Sequence, residues 1–157
     1  MNYLKSYAVA GVLAVFLLMA SFNDTAAQNS QKNYNNNGKT VSVKVQDLEW
    51  SDVLSYGAIK DYLSTSFAGG AALEVDDLVF SPDFKDNAYY LSFSLEDQET
   101  TKIVILDVAG NEIHSETIED FEGVYESKIN IPASEKGTYF LKVIQGFSLL
   151  NKKLIIE

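Results

Sequence analysis

The sequence predicts a mostly β protein: a small antiparallel immunoglobulin-like β-sandwich of about seven strands, with a short strand and a helix before it. Three observations carry this. From residue 74 onward, short apolar-polar alternations recur at intervals of about 8–12 residues and are separated by turn residues. The run KIVILDV (102–108) is apolar at both odd and even positions, as an interior strand covered on each side must be. The 157 residues contain no cysteine and are 46% hydrophobic, so stability has to come from a packed core without disulfides.

Taken in order, the chain opens with a positive residue, Lys5, and an uninterrupted small and apolar run over 7–20. That run fits a signal-peptide core of about 7–15 residues and falls short of the ~20 needed to span a membrane as a helix. Thr25 and Ala27 put small residues at −3 and −1, which predicts a signal peptide over 1–27, cleavage before Gln28 and no membrane span afterwards. Residues 28–39 (QNSQKNYNNNGK) are polar and asparagine-rich, and read as a flexible linker. Residues 40–73 form a small N-terminal segment. TVSVKVQDL alternates Val41, Val43 and Val45 as a half-buried strand. Trp50, Val53, Leu54 and Ala58 then fall at helical spacing, with Ile59, Tyr62 and Leu63 continuing the face, and the helix is weakened at Gly57. Ala68-Gly69-Gly70 ends it.

Within 74–157, strands are expected over 75–80 (stopped by Ser81-Pro82-Asp83), 89–95, 102–108, 112–118, 124–131, 138–145 and 149–156. Tyr89, Leu91, Phe93 and Leu95 share one face. Gly110 suits positive φ in the Ala109-Gly110-Asn111 turn. Ile129 and Ile131 point inward, as do Tyr139, Leu141 and Val143, leaving Lys142 outside.

All 12 basic residues are lysine, against 22 acids, for a net charge of −10. Nucleic-acid binding relies on clustered cations and bidentate arginine, so an arginine-free acidic chain argues against DNA or RNA as partner. The missing cysteines exclude a thiolate metal site, a cysteine nucleophile and a lipid anchor on cysteine. His114, the single histidine, reads as a surface strand residue, with no G-x-S-x-G elbow to make a triad around it. No glycine-rich phosphate loop occurs. A paired-carboxylate hydrolase would need a cleft that no segment here builds, so the chain reads as non-catalytic, with no cofactor. Asp76, Asp77, Asp83, Asp86 and Asn87 read as solvated turn residues, a structural calcium ion being the alternative, although their spacing is not that of an EF-hand loop.

Several segments of the second half occur in an order that resembles a known family. DVAGNEI carries Asp107 and Gly110 at a hairpin. FEGVYESKINI (121–131) follows, then KGTYFLKV with Gly137, Tyr139, Phe140, Lys142 and Val143, then NKKLIIE with Lys152 and Lys153. With Pro82 at the opening turn, where a fuller proline-asparagine-proline pattern is usual, residues 74–157 resemble a type IX (Por) secretion system C-terminal sorting domain of the type A family. The resemblance implies recognition by the type IX machinery, removal by a cell-surface sortase near residues 73–82, and release or attachment to surface lipopolysaccharide. From the residues alone, Lys152 and Lys153 read as guards of an edge strand, and Gly137 as a residue that relieves a turn. The alternative to the sorting role is a small periplasmic or cell-surface binding module, adhesin-like, spanning 40–157.

Overall fold

A computed structural model describes residues 29–64 and 70–157; the expected signal peptide, its cleavage site and Gly69 lie outside the described residues. The protein is mostly β, as its alternations predict, with eight strands and two short helices among the described residues. The strands are β1 Ser30–Asn36, β2 Lys39–Asp47, β3 Ala71–Ala72, β4 Asp76–Asp83, β5 Ala88–Asp107, β6 Glu112–Ile129, β7 Gly137–Gln145 and β8 Ser148–Ile156. The helices are α1 Trp50–Ser55 and α2 Lys60–Ser64, joined by a 3₁₀ turn over Gly57–Ile59.

One sheet runs in the order β1-β2-β8-β7-β5-β4, with β6 alongside β5 and β3 alongside β8. Strand β5 is the reason it forms two layers. Its first half pairs with β4 and the second half of β6, and its second half pairs with β7 and the first half of β6. The two arms fold over a shared core. Phe80, Tyr89, Leu91, Phe93 and Ile129 come from one arm; Val43, Val45, Ile103, Ile105, Leu141, Val143 and Leu154 come from the other.

The expected strands over 89–95 and 102–108 are therefore one strand, as are 112–118 and 124–131. The polar stretches between them are corners and not turns. Pairing of β5 with β6 slips between Leu95 and Thr101, and β6 takes left-handed backbone at Asp120 (φ 50°) and Gly123 (φ 96°). Bulges of this kind bend a strand from one layer into the next without ending it. Gln145, 4% exposed, lies against this corner and donates its amide to Asp97 O (2.8 Å), Thr101 Oγ1 (3.1 Å) and Phe121 O (3.3 Å), satisfying carbonyls that the slipped ladder frees.

Three further expectations are corrected. Residues 28–39 were expected as a flexible linker, yet Ser30–Asn36 pairs antiparallel with β2 across a two-residue turn, Asn37 (φ 50°) and Gly38 (φ 79°). Asn-Gly accepts two successive positive φ angles and matches the twist of a hairpin, a signal hidden by the asparagine-rich composition around it. The helix expected over 50–67 breaks at Tyr56–Gly57; Val53, Ile59 and Leu63 are buried, while Trp50 and Leu54 face solvent. Strand β4 runs through Pro82, which lies opposite Tyr89, and ends at Asp83. Proline fits there because β4 is an edge strand, where one of its sides needs no donor.

The dual-faced run 102–108 is as expected. Ile103 and Ile105 enter the main core. Val104 and Leu106 enter a second, smaller one with Phe140, covered by Val53, Ile59 and Leu63 of the helical segment.

Candidate functional site

The hairpin between β5 and β6 is built around Asp107. Its carboxylate accepts Ala109 N–H (2.8 Å), Asn111 N–H (2.8 Å) and Asn111 Nδ2 (2.7 Å), which lets the chain reverse. Desolvation opposes ionisation, but the donations from Asn111, Ala109 and Gly110 outweigh it and hold the carboxyl below its usual range. Gly110 takes φ 88°, and a Cβ there would lie 3.2 Å from Ile59 Cγ2. Glycine thus serves both the backbone angle and the close approach of the 3₁₀ turn.

Strand β7 opens at Gly137, opposite Ile156 of β8. Its φ is not left-handed, so it relieves no turn strain; instead it lies beneath the Tyr139 ring, where a Cβ would approach to 3.4 Å. Tyr139 is buried in the main core and donates to Glu135 Oε1 (3.2 Å); burial first, then the charges of Glu135 and Asp107, push its phenol up to about 12.

The expectation for the lysines is overturned. Lys142 does face away from the main core, but that face is covered, and the residue is 5% exposed. Its Nζ donates to Tyr62 O (3.1 Å) and sits 3.9 Å from the centroid of the Tyr62 ring, and desolvation lowers its pKa. Lys152 and Lys153 guard no edge, because β8 runs between β7 and β2. Lys152 is 1% exposed and meets the carboxylate of Asp47, its register partner, at 2.5 Å. Antiparallel partners on one face are close enough for this pairing. Lys153, on the opposite face, donates at 2.8 Å to Asp52 Oδ1. The other oxygen of Asp52 accepts Glu49 N–H (2.9 Å) at the start of α1.

Gly110, Lys142, Lys152 and Lys153 thus converge on residues 47–62, and Asp107 lies opposite Tyr139 at the same end of the sheet. Pro82 stands apart on the other arm. The sequence reading missed Asp47, Asp52 and Tyr62. The available signal was a lysine inside an apolar strand, which calls for a partner somewhere in the chain. The turn acids have local uses: Asp83 Oδ1 accepts Lys85 N–H (3.0 Å) and Asp86 N–H (3.2 Å), Asp86 pairs with Lys128, and Asn87 Oδ1 accepts Ala133 N–H (3.1 Å). His114 is more than a surface residue. Its side chain is 16% exposed, and Nε2 lies 2.8 Å from the hydroxyl of Tyr125, which donates to Glu116 Oε2 (2.8 Å).

Residues 85–157 match the family model described as the secretion system C-terminal sorting domain. A type IX secretion sorting domain is found there. The sorting domain begins three residues after Pro82 and contains the other seven residues singled out from the sequence. No curated protein matches the chain. The domain supports a type IX secretion substrate, secreted or at the cell surface, and implies interaction with the type IX machinery. Among the described residues no helix is long and apolar enough to cross a membrane.

Proposed function

We propose that this chain is a non-catalytic cargo of type IX secretion. It enters the periplasm on residues 1–27 and crosses the outer membrane by virtue of the sorting domain. The observation that carries the reading is the match over 85–157, supported by the way its hairpin, its Gly137 strand and its lysine strand assemble side by side in one sheet. Processing by a cell-surface sortase and attachment to surface lipopolysaccharide belong to the same proposal. The cut expected near residues 73–82 would meet resistance in the folded chain, since Leu73, Val75 and Phe80 are buried and β4 is paired with β5. Cleavage there requires β4 to leave the sheet.

The test is localisation of the full chain with an epitope tag in the Asn37–Gly38 turn, where a Cβ on Gly38 has nothing within 4 Å. In a host with a working type IX system the tag is expected at the surface or in the medium, and in a translocon-deficient sibling it is expected in the periplasm. Equal periplasmic retention in both hosts would refute the sorting role and favour the small binding module.

A further inference from the structure

The sorting domain's outer face is occupied by the chain's own N-terminal segment, and the chemistry of that contact resembles a binding interface. Its centre is apolar, with Val104, Leu106 and Phe140 covered by Val53, Ile59 and Leu63. Its margin is cationic, with Lys142 and Lys153 met by the Tyr62 carbonyl and Asp52, while Lys152, on the inner face of the same strand, meets Asp47. An apolar centre with a polar rim is how separable protein surfaces are built. Beside it, the edge of β8 receives β2 as an antiparallel strand, Val43–Asp47 against Lys152–Ile156. The groups named here lie between residues 39 and 64, and Ala71–Ala72 continues along β8 beside Ser148–Leu149; all of them are outside the family match.

We propose that this face and the β8 edge form the surface by which the sorting domain is recognised, and that residues 39–64 are an internal strap standing in for the partner. The proposal rests on the secretion reading above. The partner it fits is an extended segment of the machinery that adds a strand to β8, with a carboxylate opposite Lys152 and a second acid reaching Lys153. Strand addition gives affinity through the backbone, and the charges give register. The strap is suited to leave. Helices of six and five residues have little stability of their own, whereas withdrawal of β2 also takes Val43 and Val45 from the main core, a loss that a partner strand in the same place offsets.

The experiment uses the full chain with its leader. Lys44 and Ile155 are register partners of β2 and β8, so Lys44→Cys with Ile155→Cys can lock the strap by a disulfide, in a sequence that otherwise has no cysteine. The locked chain is expected to melt no lower than the parent and to be exported at least tenfold less than either single-cysteine chain. A second chain, Asp47→Asn with Asp52→Asn, is expected to exchange the amides of residues 152–156 faster and to be exported at least as well as the parent. Undiminished export of the locked chain, or a loss of export in the loosened one, would overturn the strap and leave the secretion reading standing. Retention of the parent and both single-cysteine chains would overturn both.

Discussion

At the scale of single residues, Asp52 carries more than its position in the sequence suggests. Its buried carboxylate caps the backbone of Glu49 and receives Lys153. Asp52→Ala removes the cap and strips that carboxylate from a shielded ammonium group, and is expected to cost about 2–4 kcal/mol in urea unfolding. Lys142, Lys152 and Lys153 were legible as notable positions because two short segments, KGTYFLKV and NKKLIIE, drew attention to them. Their surroundings were not. Alternation assigns a side chain to a face of a strand, but it does not say what lies over that face. The partners of Lys152 and Lys153 are 105 and 101 residues distant in the chain, beyond any local pattern. His114 shows the same limit: its polar neighbours implied solvent, while Tyr125, eleven residues on, closes over it.

At the scale of elements, the glycines separate two effects that sequence cannot tell apart. Gly110 and Gly123 both have positive φ, but a Cβ at Gly110 would press on Ile59, whereas one at Gly123 meets nothing within 4 Å. Gly123→Ala is expected to cost about 1 kcal/mol for the backbone angle alone. Gly110→Ala should cost measurably more by thermal unfolding, and the excess reports the docking of the 3₁₀ turn. Equal losses would mean that the turn yields freely. The same elements show which strand features can be read in advance. KIVILDV was legible as doubly covered because both of its faces are apolar. The corner over 96–100 was not, because a bulged strand exposed to water has the composition of a loop. The hairpin at Asn37–Gly38 was written in the sequence but masked by its asparagine-rich setting.

At the scale of the whole molecule, the core contains several phenols that are costly to ionise. Burial, with the nearby Tyr139, pushes Tyr89 up to about 12, and Tyr139 is raised to a similar value. In the unfolded chain these groups ionise near 10, so protons leave that state first. Their contribution to stability is therefore full below about pH 10 and is lost as pH rises from there toward 12. The urea midpoint is expected to be flat with respect to these phenols from pH 8 to 9.5 and to fall beyond 10. Tyr89→Phe should reduce the fall and cost little at pH 7, because the buried Tyr89 hydroxyl has no hydrogen-bond partner among the described residues. The layout of the sheet also has a consequence in time. Strand β2 is made early, yet the strand it joins is β8, whose residues 152–156 follow it by about a hundred positions. A ribosome that has released β2 has made its neighbour β1 but not yet β8, and pairings so remote close slowly even afterwards. The seam between β2 and β8 therefore closes last, after the local pairings of β1 with β2 and of β4, β5 and β6 have had the chance to form, and the two ends of the chain are joined only once synthesis is complete.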